Sequence, residues 1–327
     1  MNKDSQYIGI DISMDTFSVS FADKQYAELA NTGSGFKKLL KKLPEEAHVV
    51  MEPTGPHHLK LALFPVEQKV KVSVVNALTI KRFAQMRLKI TQTDKADAEM
   101  IRLYARWDNP ELRCPPDEYL IEAKALQQPG LLLTKQSTAL KNQKHSISRS
   151  KGSKAALQII ERSIRQINRD IKKLDEQIES LVKRHLGNLL AVVTTVPGVG
   201  KKTAIALLIA TNGLKHFDSA KQLSSFFGLA PTTGVSGSSI RGKSRISKSG
   251  NKEVRNLLFM CSFTAYKHNR ACRELYERMV NKGKSPKLAL IAVANKLLKQ
   301  IIAISKSGIP YDPAYKSINP ITYNKAI

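Results

Sequence analysis

The sequence predicts an α/β plus all-α protein: a mixed-sheet domain at the N-terminus followed by a helical remainder. Short apolar, β-branched runs alternate with helical stretches in the first third of the chain. Beyond them, apolar residues repeat at heptad spacing, which is typical of long packed helices. The charge balance changes at the same place. We therefore expect three domains, at residues 1–115, 116–187 and 188–327.

The charge is distributed unevenly along the chain. The formal net charge of the 327 residues is +26. Residues 1–110 contain 16 basic and 13 acidic residues, whereas residues 111–327 contain 37 and 14. No acid occurs between Glu122 and Glu161. A solvated surface helix normally mixes its charges, so this pattern predicts a near-neutral catalytic part and a basic body that binds nucleic acid.

The cysteines and apolar runs argue against several classes of protein. Cys114, Cys261 and Cys272 are widely spaced and odd in number. This fits neither a disulfide framework nor a zinc site and suits a reducing compartment. The polar start runs straight into a strand, so we expect no signal peptide. The longest apolar run, Leu288 to Ala294, is too short to cross a bilayer, and we expect a soluble cytoplasmic protein.

The order of elements in the first domain is informative. Strands are expected at residues 7–13, 16–22, 25–30, 48–52 and 71–76, and helices at residues 35–43 and from Pro56 onward. Residues 16–22 alternate between apolar and polar side chains, as an antiparallel strand with one covered face does. Three strands followed by alternating helix and strand are the layout of an RNase H-like α/β domain.

Two carboxylates lie on the predicted strands. Asp11 interrupts an apolar run, and burial of an unpaired carboxylate is strongly unfavourable. Glu52 ends the fourth strand. Each has an ordinary alternative, since Asp11 could cap a turn and Glu52 could be a surface residue. A divalent cation would also compensate for the burial of Asp11.

Two further acids open a predicted helix. Asp94 and Asp97 are three residues apart and therefore share one helix face. Thr93 or Asp94 as helix cap is the ordinary alternative, and it explains one acid but not both. Oxygen ligands from the three elements can hold two Mg²⁺ ions, which brace the attacking and leaving oxygens of a phosphodiester. The four acids predict a metal-dependent phosphoryl-transfer site.

Two heptad patterns occupy the middle of the chain. Leu126, Leu133, Leu140 and Ile147 repeat every seven residues, and residues 160–181 continue with apolar spacings of four and three. Gly152 and Ser153 offer a turn between them. The segment predicts either an antiparallel helical hairpin within one chain or an intermolecular coiled coil. Pro129-Gly130 is expected to kink or break the first helix.

A Gly-x-Gly turn separates two apolar helical runs after residue 195. The turn at Gly198 and Gly200, followed by Lys201 and Lys202, resembles the hairpin of helix-hairpin-helix modules. Such turns bind a DNA phosphate through backbone amides at a helix N-terminus. A nucleotide-binding phosphate loop is the competing interpretation, but its Gly-x-x-x-x-Gly-Lys-Ser/Thr spacing is absent.

A loop from Ser236 to Arg245 interleaves serines with basic residues. A flexible linker is one interpretation. A serine hydroxyl is a poor nucleophile unless its surroundings activate it, and Arg241 and Arg245 could hold a scissile phosphate and offset its charge. Spacing alone leaves a catalytic serine open. Residues 250–266 and 286–305 then predict two apolar helices that pack the C-terminal domain.

The motifs, taken together, resemble the insertion sequence 110 family of DEDD transposases, to which Piv-type DNA invertases also belong. The motifs are Tyr7-Ile-Gly-Ile-Asp11, Met51-Glu52-Pro-Thr-Gly55, Thr93-Asp94-Lys-Ala-Asp97-Ala, Val196-Pro-Gly-Val-Gly200-Lys-Lys-Thr203, Phe227-Gly-Leu-Ala-Pro231 and Ser236-Gly-Ser-Ser-Ile-Arg241-Gly. The match spans nearly the whole chain, and the combination is specific where each piece is not.

The resemblance implies a RuvC-like catalytic domain, a coiled-coil middle that mediates oligomerisation and a helical transposase domain. It implies that Ser236, rather than Ser238 or Ser239, attacks DNA and becomes covalently linked to it. Mg²⁺ would be held by the acids of a partner subunit. The resemblance also implies a structured noncoding RNA, the bridge RNA, that pairs with donor and target DNA. The residues expected to contact DNA or RNA are Arg241, Lys243, Arg245, Lys248, Gly198, Gly200, Lys201, Lys202, Lys141, Lys144 and Arg149.

Two other hypotheses compete with a serine recombinase. One is a RuvC-like nuclease that resolves DNA junctions with metal-activated water, in which Ser236 is structural. The other is a non-catalytic nucleic-acid-binding protein with structural acids. Only the recombinase forms a protein–DNA adduct. Within it, the sequence leaves open transposase against invertase and dimer against tetramer, and we expect a nucleoid-associated oligomer.

Overall fold

The protein is described from a computed structural model that covers residues 6–53, 58–88, 93–112, 117–150, 152–232, 235–236, 240–241, 245–247 and 250–315. The chain divides into two compact units, residues 1–115 and 116–327. The boundary between them falls where the sequence places the end of the first domain. The division into three domains, with a second boundary at residue 187, stays a prediction.

The first unit is a mixed α/β fold. Its elements are β1 (Gln6–Ile12), β2 (Thr16–Ala22), β3 (Gln25–Ala30), α1 (Gly33–Lys42), β4 (Ala47–Met51), α2 (His58–Glu67), β5 (Lys71–Val74), α3 (Ala77–Met86) and α4 (Asp94–Asp108). The described strands form one five-stranded sheet in the order β3-β2-β1-β4-β5. β1 is antiparallel to β2 and parallel to β4, and β4 is parallel to β5. The mixed sheet expected from the sequence is confirmed.

Helices cover both faces of this sheet. Successive side chains of a strand point to opposite faces. Ile8, Ile10 and Ile12 of β1 pack with Phe36 of α1 and Leu61 of α2 in one buried core. The other face carries a second core that joins β4 to α3 and α4, with Val50, Ile80, Phe83, Ile101 and Tyr104 among its residues.

Side-chain caps fix the starts of three helices in this unit. Thr32, Asn76 and Thr93 each accept a hydrogen bond from a backbone amide in the first turn of α1, α3 and α4. The sequence pattern extends the fifth strand to Asn76 and does not predict α3. The strand ends at Val74 instead, which leaves Asn76 to cap the helix.

The second unit is mainly helical. It contains α5 (Glu118–Arg149), α6 (Lys154–Thr194), α7 (Lys201–Ala210), α8 (Ala220–Phe226), β6 (Pro231–Thr232), β7 (Val235–Ser236), β8 (Ile240–Arg241), β9 (Arg245–Ile246), α9 (Lys252–His268), α10 (Arg270–Asn281) and α11 (Pro286–Ser307). The two-residue strands pair as β6 with β9 and β7 with β8, both antiparallel.

α5 and α6 form an antiparallel hairpin. Ser137 Oγ of α5 donates to Asn168 Oδ1 of α6 over 3.2 Å. Nearer the turn, Lys144 Nζ lies 2.8 Å from Glu161 Oε1. Of the heptad residues at 160–181, Ile160 and Ile178 are buried and the others are half-buried. A coiled coil between chains stays a prediction.

The predicted break at Pro129-Gly130 is wrong. α5 runs without interruption from Glu118 to Arg149. Gly130 lies against α6, where an added Cβ would be 3.9 Å from a methyl group of Leu174. Packing against the partner helix offsets the hydrogen bond that proline removes.

α6 departs from a straight rod. Leu186 has non-helical torsion angles (φ −129°, ψ 26°) and marks a kink. Eight residues later, at Thr194, the helix ends and the chain enters the Gly-x-Gly turn.

α11 is long and apolar enough to cross a membrane, and is the one such helix within the described ranges. It packs instead against α6, α8, α9 and α10. Val293, Ala294, Leu297, Leu298 and Ile301 are fully buried in this core. The expectation that residues 250–266 and 286–305 form two packed apolar helices is confirmed.

Candidate functional site

Asp11 and Glu52 lie side by side at the edge of the sheet. In the parallel pair of β1 and β4, Ile10 is opposite Met51. Asp11 directly follows Ile10 and Glu52 directly follows Met51, so the two acids lie at the carboxyl ends of neighbouring parallel strands. Ligands of α/β proteins gather at this edge.

The alternation of side chains along β1 and β4 puts both acids on the face covered by α4. Ile10 and Met51 pack in the core on the opposite face, whereas Val50 packs with α3 and α4. Asp11 and Glu52 follow Ile10 and Met51 by one residue and therefore point to the α4 side.

Asp94 and Asp97 lie in the first turn of α4. The cap of this helix is Thr93, whose Oγ1 accepts a hydrogen bond from the Ala96 amide at 3.2 Å. Neither aspartate is the cap, which removes the ordinary explanation for Asp94. Carboxylates in a first turn are favoured by the helix dipole, so the helix start tolerates both charges.

A close approach of α4 to β1 brings these acids to Asp11. A Cβ added at Gly9 would lie 2.1 Å from the Ala98 carbonyl oxygen and 2.5 Å from the Arg102 amide nitrogen. Only glycine allows the helix to sit so near the strand. Gly9 is two residues before Asp11 on the same face, and the sequence analysis did not single it out. A glycine in the middle of an apolar strand is the feature that could have identified it.

Arg102 attaches the same helix to the neighbouring strand β2 and was also missed. Its side chain is buried, and its Nε donates to Ser20 Oγ of β2 over 3.1 Å. It also forms an ion pair with Asp23, which lowers the pKa of that carboxyl group. A basic residue among the apolar positions of α4 is the sequence feature that could have identified Arg102.

The four acids interact electrostatically. The pKa of Asp11 is raised to about 6, first by burial and then by the negative charges of Asp97, Asp94 and Glu52. The pKa of Glu52 is raised by burial and by Asp97. The structure therefore brings all four predicted acids into one cluster.

The cluster suits a divalent cation by the chemistry of its donors. Its carboxylate oxygens are the ligands that Mg²⁺ prefers. A cation among them would favour their ionised forms and so reverse the rise in pKa. Within the ranges that the structure describes, no three acidic, histidine or cysteine side chains are already arranged around a single point.

Ser236 lies in the second unit, in a tight antiparallel pair. It ends β7 and is opposite Ile240 of β8. Arg241 follows on β8, and Arg245 begins β9 with an exposed side chain. Ser238, Ser239, Lys243 and Lys248 lie outside the described residues. The pairing of β7 with β8 fixes the backbone of Ser236 on one side.

The Gly-x-Gly turn connects α6 to α7. Gly198 has a positive φ of 101°, and a Cβ there would lie 2.7 Å from that of Ala265. Gly200 caps α7. The two following lysines pair with α6: Lys201 Nζ lies 2.9 Å from Glu179 Oε1, and Lys202 Nζ lies 3.0 Å from Asp175 Oδ2.

The basic residues predicted on the hairpin lie along α5. Lys141 and Arg149 are exposed, and Lys144 pairs with Glu161. These residues and the turn lysines stay candidates for nucleic-acid contacts.

Comparison with known proteins covers both units. The family model of the DEDD-type IS110 transposases matches residues 8–149, and that of the IS116/IS110/IS902 transposase family matches residues 190–277. The chain is 34% identical to the pilin gene-inverting protein of Moraxella bovis and 33% identical to that of Moraxella lacunata. Each alignment covers 94% of this chain and 97% of the relative.

A shorter match agrees with these. The chain is 32% identical to the 43.6 kDa protein of insertion element IS110 from Streptomyces coelicolor, over 46% of this chain and 36% of the relative. The DEDD domain suggests dependence on a divalent metal, and transposases and invertases act on DNA. The chain therefore belongs to the IS110 transposase family and is a DNA-recombining enzyme.

Proposed function

We propose that the protein is a site-specific DNA recombinase that cleaves and rejoins DNA through Ser236, assisted by Mg²⁺ at Asp11, Glu52, Asp94 and Asp97. The observation that carries the proposal is the electrostatic coupling of these four acids, which come from three separate elements. Like charges repel, so the convergence of these acids at the carboxyl ends of β1 and β4 is unfavourable unless a cation offsets their charge.

The acids would hold one or two Mg²⁺ ions. When bound, the metal supplies charge neutralisation at the attacking and leaving oxygens of the phosphodiester. Asp97 is central to this role, because it is the largest acidic influence on both Asp11 and Glu52. Gly9 and Arg102 are positioning residues, since they seat α4 on the sheet.

Ser236 would supply the nucleophile. Its hydroxyl oxygen attacks the phosphorus atom and loses its proton to the surrounding solvent. A serine–phosphate bond forms, the bond from phosphorus to a sugar oxygen breaks, and that oxygen takes up a proton. Attack by the sugar hydroxyl of another strand reverses these events and releases the serine. The covalent link conserves the energy of the cleaved bond, which a hydrolytic nuclease loses.

Arg241 and Arg245 would neutralise the phosphate at this step, because guanidinium groups bind phosphate oxygens in a planar, two-point geometry. Lys243 and Lys248 add positive charge to the same loop in the sequence. Other groups would bind the nucleic acid at positions distant from the reacting phosphate. They are Lys141, Lys144, Arg149 and the turn around Gly198.

DNA inversion is the second candidate for the biological reaction. The similarity to the two pilin gene-inverting proteins extends over almost the full length of this chain and of both relatives. Transposition and inversion share the chemistry of strand cleavage and joining. They differ in whether two sites lie on one DNA molecule or on two.

The proposal includes the partners expected from the sequence. A structured noncoding RNA, the bridge RNA, would pair with donor and target DNA. The protein would act as a dimer or tetramer in which the acids of one subunit serve the serine of another, and it would work in the cytoplasm at the nucleoid. The half-buried heptad residues of the hairpin offer an apolar surface for such assembly.

A denaturing gel tests the mechanism. The protein is incubated with DNA of its element, the noncoding RNA and Mg²⁺, beside the Ser236→Ala and Asp11→Ala variants. We expect a covalent protein–DNA band with the unmodified protein and none with either variant. Cleavage without a covalent band that survives Ser236→Ala would instead mean hydrolysis by metal-activated water.

A further inference from the structure

An exposed aromatic cluster lies on α3 and α4. Trp107, in the last turn of α4, is 67% exposed. Its ring centre lies 5.7 Å from that of Phe83 and 6.4 Å from that of Tyr104. Phe83 and Tyr104 are themselves buried, with ring centres 5.5 Å apart. Two buried rings therefore lie beside the indole, most of whose surface is open to solvent.

The cluster is separate from the acid cluster. Asp94 and Trp107 are thirteen residues apart on one helix, which corresponds to about 20 Å along its axis. The aromatic cluster and the acids are thus at opposite ends of α4, and the rings have no place in the phosphoryl transfer.

The sequence of α3 and its flanks is basic. No acidic residue occurs between Glu67 and Asp94, while the six basic residues Lys69, Lys71, Lys81, Arg82, Arg87 and Lys89 lie there. α3 is entirely within this stretch. The guanidinium carbon of Arg87 lies 5.7 Å from the centre of the Phe83 ring. In a unit whose charges otherwise nearly balance, α3 and its flanks are the cationic part.

The charge identifies the kind of partner. An exposed tryptophan beside arginines occurs in protein interfaces and in nucleic-acid sites alike. An interface with a second copy of this chain would bring the basic helix α3 against a chain of net charge +26. One acid at this end of α4, Asp108, accepts a hydrogen bond from the Tyr104 hydroxyl. A polyanion is complementary to the surface, and a nucleobase is complementary to the flat ring.

We propose that Trp107, supported by Phe83 and flanked by Arg82 and Arg87, is a stacking platform for an unpaired nucleotide of a bound nucleic acid. The base would stack on the indole, and the neighbouring phosphates would contact the arginines. A paired base is covered on both faces by its neighbours, so the platform selects single-stranded segments. Stacking uses the π-face that every base has, so binding depends little on sequence. The inference requires that the chain binds nucleic acid, but it does not depend on the serine chemistry.

The chain contains one tryptophan, so its fluorescence reports this site alone. The full-length protein is titrated with single-stranded oligonucleotides of deoxythymidine and of uridine, in EDTA so that no strand is cleaved. We expect saturable quenching by single strands and weaker quenching by a duplex of equal length. Preference for the DNA or the RNA oligonucleotide identifies which strand occupies the platform.

Variants separate stacking from general attraction. Binding is measured by the anisotropy of a labelled oligonucleotide, and folding of each variant by its melting temperature. Trp107→Leu should weaken single-strand binding by at least about fivefold, and Trp107→Phe should restore most of it. Arg87→Gln should weaken it further than Lys37→Gln, which removes the same charge from an exposed position of α1.

Three results would overturn the proposal. One is oligonucleotide binding with no quenching. Another is equal affinity of folded Trp107→Leu and the unmodified protein. The third is a fluorescence change on raising the protein concentration without any oligonucleotide, which would make this surface an interface between copies of the chain. Because the titration contains no metal, failure here leaves the covalent-adduct experiment unaffected.

Discussion

Gly9 of β1 lies so close to Ala98 of α4 that a methyl group at position 9 would be 2.1 Å from the Ala98 carbonyl oxygen. The contact is between backbones, so no side-chain rotation can relieve it. It joins the strand that carries Asp11 to the helix that carries Asp94 and Asp97.

Gly9→Ala should therefore destabilise the first unit and disperse the acids. Overpacking of this kind typically costs about 1–3 kcal/mol of unfolding free energy. Chemical denaturation measures this loss, and the covalent-adduct gel measures the loss of activity. Gly33→Ala is the matched control, since a Cβ at Gly33 meets nothing within 4 Å. Equal stability of the two variants would contradict the role given to Gly9.

Asp11→Asn should stabilise the metal-free protein at neutral pH. The pKa of Asp11 is raised to about 6 from 3.8, so the folded state binds its proton more tightly than the unfolded state. The contribution of Asp11 is fully favourable below pH 3.8 and is lost as the pH rises through 6. The melting temperature of Asp11→Asn should exceed that of the unmodified protein above pH 6, and the difference should shrink towards pH 4.

Mg²⁺ gives the complementary readout for the same variant. A cation bound by the folded state raises the melting temperature as its concentration increases. We expect this rise in the unmodified protein and a much smaller one in Asp11→Asn. A melting temperature independent of Mg²⁺ in the unmodified protein would contradict a metal site at these acids.

His48 should make the first unit sensitive to acid. It is buried, and burial lowers its pKa to about 4, with a smaller effect of Lys71. Ser73 Oγ lies 2.8 Å from His48 Nε2 and donates to the Glu111 carbonyl oxygen at 2.7 Å. Because the Ser73 hydroxyl donates its proton to the Glu111 carbonyl oxygen, Ser73 Oγ accepts a hydrogen bond from Nε2 of the neutral His48 imidazole.

The sign of this effect is opposite to that of Asp11. The unfolded state binds the His48 proton more tightly, so stability is fully present above pH 6.5 and is lost as the pH falls through 4. His48→Gln should reduce the loss of unfolding free energy between pH 7 and pH 5, as denaturation at each pH measures. His145→Gln, at an exposed position of α5, should leave it unchanged.

Removing two acids from α6 should strengthen DNA binding at the Gly-x-Gly turn. Glu179 and Asp175 pair with Lys201 and Lys202 and so compete with phosphates for these lysines. Glu179→Gln with Asp175→Asn should raise duplex affinity severalfold at low salt, with a steeper salt dependence because two more cations are available.

The control for this pair has the same change in charge. Glu176→Gln with Asp170→Asn removes two negative charges from an exposed and a half-buried position of α6 without touching the turn lysines. An equal gain in affinity from both double variants would show that only net charge matters. Fluorescence anisotropy over a range of salt concentrations distinguishes the outcomes.

The strands of the first unit and the acids were predictable because each has a local signature. A carboxylate in an apolar run, as at Asp11, and two acids three residues apart on a helix can be recognised without a structure. The start of α3 was not predicted, because Asn76 suits both a strand end and a helix cap. The choice between them depended on where the pairing of β5 with β4 ends.

Long-range contacts explain the remaining differences. The continuity of α5 through Pro129 depends on packing against α6, which lies far along the sequence. The pairing of Lys201 with Glu179 joins residues 22 positions apart, and nothing in the local sequence of the turn indicates it. Local patterns single out the candidate site residues, while tertiary contacts determine what surrounds them.

The kink at Leu186 lies between the long arm of the hairpin and the turn that follows α6, so the angle at the kink relates the position of the hairpin tip to that of the turn. The segment of α6 before the kink is a rod of about 48 Å, and the segment after it spans about two turns. A change of about 10° in the kink would swing the tip of the hairpin by about 8 Å. Conversely, a partner that binds the tip of the hairpin and displaces it by several ångströms would change the angle at Leu186 by only a few degrees. If subunits assemble through the hairpin, the assembly would shift the turn at Gly198 and Gly200 and so change its proposed contact with a phosphate. No subunit would need to touch the turn itself.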